Sequence, residues 1–370
     1  MVKRMDKIDV WEEVNRPFDL KEGNLMRVMI MPRLLLFAAS HIICDLTTLR
    51  IMLKEVSSAY RGDDLEPTIQ YADYVQRIQP CLSQDLSFWS RNLADRPMPS
   101  YSIGNWTQKR TSYSGSSYIR RIPTDLFREF HDFCISRKVT PHQVALATVA
   151  LAMQCESDEM DIILGAPFLG RNTADTQDIV GLFLEPLPIR IRHRFENMAC
   201  EQPDEEIKKS NDTSTFIRTV QKASQDALCH ATSWPGILDC LDITQSPPEN
   251  ALFDVMVSYH ESYGDMSIPG LDARSLYTWS GGAKFRLMVE FVQANADALV
   301  MRLEYSDECF DTESIREVAQ LIVTALDCVV QGYENDVVKT SLGEIKERRD
   351  IGGDGDGGRG TFFGALLDQI

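Results

Sequence analysis

A short polar stretch wedged between two strongly patterned segments constrains this chain more than any other feature. Leu34 to Ala39 is an apolar run of strand length, and Ser40-His41-Ile42-Ile43-Cys44-Asp45 follows it directly. Beyond it, Leu49, Ile51, Met52, Leu53, Val56 and Tyr60 recur at helical spacing until Arg61-Gly62 ends the stripe. A strand that passes into a helix through such a turn can project His41 into a cleft. An imidazole there exchanges protons near neutral pH without a large shift. Asp45, four residues on, can hold the turn rigid through hydrogen bonds or an ion pair. Taken by spacing alone, the same pair also suits a buried histidine that is merely hydrogen-bonded.

The rest of the chain alternates short strands with helices. Leu25 to Met31 and Leu34 to Ala39 flank Pro32-Arg33 and predict neighbouring strands, the second well buried. Trp11 to Leu20 reads as a linker and turn. Tyr71 to Leu93 is helical with a break at Pro80, and residues 97 to 116, rich in Ser, Tyr, Gly and Pro, form a connection. Ser117 to Arg121 is a strand. Thr124 caps a helix carrying Leu126, Phe127, Phe130 and Phe133, and Thr140-Pro141 opens another, Ala-rich and buried, over His142 to Met153. Asp161 to Leu164 is a short strand, and Val180 to Arg192 a strand broken at Pro186. Phe216 to His230 is helical. Leu252 to Tyr259, Phe285 to Val292 and Leu299 to Tyr305 are strands, and residues 313 to 331 are a long amphipathic helix. Strict βαβ alternation is lacking, which predicts an α+β fold, mixed sheets with flanking helices.

Composition removes several classes. Lys and Arg number 38 against 55 Asp and Glu, a net charge of −17, which argues against nonspecific nucleic-acid binding. No apolar stretch approaches the ~20 residues of a membrane span. The charged start, Met1-Val2-Lys3-Arg4-Met5-Asp6-Lys7, is no secretory signal. The nine cysteines are scattered with no Cys-x-x-Cys pair, which suits reduced core thiols in the cytoplasm and no metal site.

The string Leu35-Leu36-Phe37-Ala38-Ala39-Ser40-His41-Ile42-Ile43-Cys44-Asp45 resembles the His-His-x-x-x-Asp-Gly signature of nonribosomal peptide synthetase condensation domains. It also resembles the His-x-x-x-Asp of the wider chloramphenicol acetyltransferase-like acyltransferase superfamily. Further resemblances fall in the family's order. Arg16-Pro17-Phe18-Asp19-Leu20 is similar to its Pro-Phe-Asp-Leu segment, and Tyr71-Ala72-Asp73-Tyr74 with Phe88-Trp89 to its third motif and aromatic pair. Gly165-Ala166-Pro167 through Arg171 resembles the Gly-x-Pro…Arg segment. Val180-Gly181-Leu182-Phe183-Leu184-Glu185-Pro186 resembles Ile-Gly-x-Phe-x-Asn-Thr. His230 to Pro235, Leu252 to Met256, and Trp279-Ser280-Gly281-Gly282-Ala283-Lys284-Phe285 match later stretches, the last found in fungal members.

The resemblance implies a two-lobed chloramphenicol acetyltransferase-like fold. Residues 1–110 would be an incomplete N-terminal lobe carrying the His-x-x-x-Asp motif, 111–335 the C-terminal lobe, and 336–370 a flexible Gly-rich tail. It implies amide or ester formation from an acyl or peptidyl thioester on the phosphopantetheine of a carrier protein, with no cofactor bound by the chain itself. The implied partners are carrier proteins and adjacent synthetase domains, with neither nucleic acid nor membrane. His41 would be catalytic. Asp45 would be structural and paired with Arg171. Ser40, Trp279 and Ser280 would line the tunnel between the lobes. The chain departs from the pattern at Ser40 (first His), Leu46 (Gly) and Glu185-Pro186 (Asn-Thr, with loss of their hydrogen bonds), and it has no counterpart of the family's first, Arg-bearing motif. These departures leave two alternatives: a degenerate module that docks carriers without forming bonds, and an acyl-CoA-dependent acyltransferase.

Overall fold

In the computed structural model, which describes residues 2–65, 68–77, 83–97, 103–157, 159–171, 173–192, 213–261, 268 and 281–331, the charged first residues form a strand. β1 (Val2–Arg4) lies parallel to β2 (Met26–Ile30), with Lys3 opposite Met29. Three residues are too few to show a hydrophobic period, so pairing with β2 decides the element. β2 turns back through Pro32-Arg33 into antiparallel β3 (Leu35–Ala39), completing a sheet in the order β1-β2-β3. β3 is half-buried rather than well buried, with only Leu36 in the core.

The stretch read as a linker contains a short helix, α1 (Val10–Asn15), started by Asp9, whose carboxylate accepts the Glu12 N–H at 3.0 Å. Arg27, buried on β2, binds the Glu13 carboxylate and donates to the carbonyls of Glu13 and Arg16 at 3.0 and 2.8 Å. Its guanidinium lies 3.9 Å over the Phe18 ring. One cation thus ties the Pro17-Phe18 segment to the small sheet.

α2 (Leu46–Arg61) follows β3 and ends on Gly62, whose φ of 84° is the left-handed cap that glycine adopts without a steric cost. α3 (Tyr71–Val75) and α4 (Ser83–Leu93) come next, while Pro80 lies outside the described residues. The larger sheet has six strands in the order β4-β9-β8-β7-β5-β6. These are β4 (Gly115–Arg121), β5 (Asp161–Leu169), β6 (Leu184–Arg192), β7 (Val255–His260), β8 (Leu287–Asn295) and β9 (Ala298–Ser306). α5 (Thr124–Arg137), α6 (Pro141–Ser157), α7 (Thr213–Cys229), α8 (Trp234–Cys240) and α9 (Thr312–Gln331) complete the fold. Thr124 is the first helical residue, with Pro123 at the cap position. Thr140 does cap α6: its hydroxyl accepts the Gln143 N–H at 3.1 Å, and the Gln143 side chain accepts the Thr140 N–H at 3.0 Å.

The large sheet has two different faces. Val257, Val289, Phe291, Met301 and Leu303 share the apolar face, where Phe130 of α5 stacks on Tyr259 with ring centroids 5.9 Å apart. The other face carries a buried polar row of Ser258, Glu290, Arg302 and Glu304. Arg302 bonds the carboxylates of Glu290 and Glu304 and the Ser117 hydroxyl. Burial alone would raise the Glu290 pKa, but hydrogen bonds and charges from His260 and Arg302 outweigh it and hold the group at about 2.

The expected break of β6 at Pro186 does not occur. β6 is an edge strand, where a missing N–H costs no ladder bond. Pro186 sits opposite Pro167, a pair that needs no hydrogen bond between its members, so both nitrogens face away from the β5–β6 seam. Pro188, two residues on, presents its nitrogen to the same outer edge. β5 is longer than the four-residue strand expected, because its Gly165-Ala166-Pro167 segment is paired along its whole length by β6.

Gly165 is flush against Phe253: a Cβ there would lie 2.2 Å from the ring, which is itself held between Trp234 and Phe285 at 5.7 and 5.6 Å. Gly165→Ala is expected to lower stability by ~1–3 kcal/mol through overpacking, read as a lower urea midpoint with an unchanged slope.

Candidate active site

The turn between β3 and α2 is pinned at both ends. At its start, the Ser40 N–H donates to the Leu25 carbonyl at 2.9 Å, and the Ser40 carbonyl accepts the Ile43 N–H at 3.2 Å and the Cys44 thiol at 3.5 Å. Ser40 therefore anchors the turn through its backbone. At its end, Asp45 is the N-cap of α2, and its carboxylate accepts the Thr48 N–H at 2.7 Å. Local chemistry explains the placement: an aspartate directly before a helical stripe is a preferred cap.

The structure brings Arg171 onto Asp45. The chain leaves β5 at Leu169, Gly170 donates to the Phe183 carbonyl at 2.9 Å, and the Arg171 guanidinium then reaches both carboxylate oxygens at 3.2–3.3 Å. The two side chains are 4% and 1% exposed, so neither charge meets bulk water. Every direction is occupied. Arg171 also donates to the carbonyls of Thr176, Ile179 and Gly181 at 2.5, 2.9 and 3.1 Å and to the Thr48 hydroxyl at 3.1 Å. Asp45 accepts the Phe183 N–H at 3.2 Å, and the Phe183 ring covers the guanidinium at 4.1 Å. Desolvating two charges is costly, and this full set of partners is what offsets it.

α3 closes the assembly from outside. The Tyr71 hydroxyl donates to the Leu182 carbonyl at 2.6 Å, and the Tyr71 and Tyr74 rings pack on Phe183 with centroids 5.2 and 5.1 Å away. Gly181 permits this approach, since a Cβ there would fall 2.2 Å from the Tyr71 ring.

His41 stands on the pinned turn and is exposed. Its pKa lies below the ordinary imidazole value. Loss of hydration among the surrounding protein atoms is the largest cause, and the positive charge of Lys284 adds to it. Backbone hydrogen bonds at residues 41 and 44 and the charge of Asp45 act in the opposite direction. The buried Cys44 thiol beside it is pushed up to about 11, chiefly by burial. The arrangement thus offers a neutral, accessible imidazole at physiological pH, next to a thiol that stays protonated.

Other positions fall elsewhere. Trp279 and Ser280 lie outside the described residues, as does His193. His230 is tied to α4: its Nδ1 lies 2.9 Å from Asp85 and its ring stacks on Phe88 at 4.3 Å. His142 does more than decorate a helix start, since its Nε2 lies 3.2 Å from the Val257 carbonyl and joins α6 to β7. His260 packs beside Ser258 and Glu290, and His131 is exposed. Glu185, in the position of the family's Asn, keeps a hydrogen bond of a different kind by accepting the Trp234 N–H at 3.1 Å. Lys284 is the charge that the sequence pattern does not assign to the site. It sits inside the quoted Trp279-to-Phe285 string, but a lysine after paired glycines carries no local sign of a distant histidine.

This geometry coincides with a family match over almost the whole chain. The condensation-domain model matches residues 2–351, and the chain belongs to that family. Nonribosomal peptide synthetase aclP of Aspergillus oryzae is 35% identical over 351 residues, 92% of this chain and 21% of the relative. Nonribosomal peptide synthetase ataP of Aspergillus terreus is 36% identical over 334 residues, 90% of this chain. The chain spans about a fifth of the length of these curated relatives. Among solved structures, a four-domain nonribosomal peptide synthetase bound to AMP and glycine superposes with a TM-score of 0.76 at 17% identity, covering 91% of this chain and 28% of that one. The condensation domain of the monacolin K polyketide synthase MokA gives 0.73 at 15% identity, covering 89% of this chain and 79% of that domain. The α+β condensation-domain fold is therefore established. No helix among the described residues is long and apolar enough to cross a membrane.

Arg171→Leu leaves the Asp45 carboxylate buried without its cation and is expected to cost ~3–5 kcal/mol in urea unfolding. Combining it with Asp45→Asn is expected to cost less than the sum of the two single changes, a coupling that a double-mutant cycle measures.

Proposed function

We propose that this chain joins an acyl or peptidyl group, delivered as a thioester on the phosphopantetheine of a carrier protein, to an amine or hydroxyl on a second carrier, with His41 handling the proton. One observation carries this reading: an accessible imidazole with a lowered pKa stands on a turn that a buried ion pair holds rigid. Its context is membership of a family whose relatives here are fungal nonribosomal peptide synthetases.

The chemistry asks little beyond placement. The acceptor nitrogen attacks the thioester carbonyl carbon and a C–N bond forms. The amine proton passes to the imidazole. The C–S bond breaks as the tetrahedral intermediate collapses, and the proton goes to the departing thiolate. Alignment of two bound reactants supplies up to ~7–11 kcal/mol in favourable cases, and a positioned base contributes ~10²–10⁴-fold. Asp45 and Arg171 serve the reaction by holding the turn, and Ser40 by anchoring its start. Trp279 and Ser280, just ahead of Gly281, are assigned to the lining of the substrate passage.

A second reading is favoured by Ser40 at the first position of the His doublet and by Glu185 at the Asn position. In it the chain docks carriers without forming bonds. Capture of a phosphopantetheinylated carrier with no turnover would select that reading. Turnover with free acyl-CoA and none with carrier thioester would select the third, small-molecule acyl transfer.

In the proposed reaction, His41→Ala is expected to slow transfer from carrier thioester to amine by ~10²–10⁴-fold while leaving thermal unfolding unchanged. Equal rates in both proteins would remove His41 from the mechanism. Because its pKa is lowered, His41 stays neutral, and the rate holds, to a lower pH than an ordinary imidazole would allow. A pH–rate profile of the wild-type protein checks this.

A further inference from the structure

Thr48 fixes how α2 is rotated about its axis. It is fully buried, and its hydroxyl donates to the Gly181 carbonyl at 2.6 Å and accepts from Arg171 at 3.1 Å. At about 100° per residue, Arg50, Lys54 and Arg61 fall roughly 200–240° round the helix from Thr48, on its opposite side. All three are exposed. Spacings of four and seven residues stack them into one ridge, and the other residues of that face, Thr47, Ser57 and Ser58, are uncharged. Glu55, the one acid of α2, lies back on the Thr48 side. Arg61 is engaged at the far end of the ridge by Asp63 at 2.8 Å and by the Ser57 and Ser58 hydroxyls at 2.8 and 3.1 Å. Arg50 and Lys54 have no hydrogen bond or ion pair among the described residues. Like charges four residues apart destabilise a helix, whereas a glutamate at either place would stabilise it. In a chain of net charge −17, this pair of cations is left for an anionic partner from outside.

We propose that the Arg50–Lys54 ridge of α2 is the docking surface for a carrier protein, which meets it with the phosphodiester of its phosphopantetheine arm and with acidic side chains around the modified serine. The arm hangs from that serine through a phosphodiester, so every such carrier brings a fixed negative charge to the surface that seats it. The ridge stands close to the chemistry. α2 begins at Asp45, where the turn carrying His41 ends. At ~1.5 Å per residue, Arg50 lies about 8 Å and Lys54 about 14 Å along the axis from that point. On the flank of the ridge, Val56 and Tyr60 are 40% and 72% exposed and add apolar contact to the charged one. The size of the partner also matters. Charges more than ~10 Å apart are largely screened at 0.1 M salt, so a small acidic domain meets the ridge locally. An extended polyanion such as duplex DNA would also meet the net negative surface around it. The inference rests on the carrier-dependent reaction proposed above and names where on this chain one carrier binds.

The test measures binding of a fluorescently labelled, phosphopantetheinylated carrier domain to the full chain. Wild type is compared with Arg50→Gln/Lys54→Gln and with Arg128→Gln, which removes an exposed cation of α5. A second carrier has the Asp and Glu residues around its modified serine changed to Asn and Gln. The ridge variant is expected to bind the native carrier ~10-fold more weakly at low salt, mainly through slower association, with the difference shrinking as salt rises. Its thermal midpoint stays at or above that of wild type, because the like-charge pair is gone. Arg128→Gln binds as wild type does, and the neutralised carrier no longer distinguishes wild type from the ridge variant. Equal affinity of wild type and ridge variant overturns the inference. So does an equal loss in Arg128→Gln, an equally large loss with the neutralised carrier, or duplex DNA binding the ridge as tightly as the carrier does. If wild type binds no carrier, the functional reading fails as well. If wild type binds the carrier and transfers its acyl group, and the ridge variant does both equally, the docking surface alone fails.

Discussion

The ion pair of Asp45 and Arg171 is the interaction on which the rest of the site depends. Two charges removed from water gain little from each other unless every remaining lone pair and hydrogen is also engaged. Here each is engaged by a separate piece of chain: the first turn of α2, the carbonyls of Thr176 and Ile179, and both peptide groups around Gly181 and Phe183. Satisfying one pair of charges therefore fixes the path of the segment after β5, the start of α2 and, through Tyr71, the seat of α3. The pair does no chemistry itself. It makes the turn carrying His41 a rigid object whose histidine can remain exposed.

A second charged system lies across the large sheet. Glu290, Arg302 and Glu304 occupy neighbouring strands on the face away from the helices, and Glu304 passes the connection on to the Lys284 backbone. The first network shapes the turn that carries His41, and the second ties the backbone of residue 284 to the large sheet. Both are built from charge-assisted hydrogen bonds between buried groups. The element the first network serves is far less buried than the ion pair itself, an exposed imidazole.

The legible parts of the sequence were those whose physics is local. The β3–turn–α2 passage could be read because an apolar run, a capping aspartate and a helical stripe ended by Gly62 stand in succession. The apolar, Ala-rich α6 gave itself away by having no polar face. β1 could not be read, because Val2-Lys3-Arg4 has no pattern and exists as a strand only through β2. Pro186 misled because proline breaks an interior strand but not an edge, and edge position is a property of the whole sheet. Arg171 was reached through family resemblance, not spacing, since nothing near it in the chain points to Asp45.

The outward-facing nitrogens of Pro186 and Pro188 have a bearing on how this domain behaves among other chains. An open sheet edge is a template for any extended segment that can supply and accept main-chain hydrogen bonds in register. On β6, two successive donor positions of that template are blank, so an incoming strand would lose bonds on alternate residues just where it begins to pair. Composition thus helps to insulate the edge against strand invasion. The margin of the larger sheet is thereby made a poor template for backbone-mediated self-association.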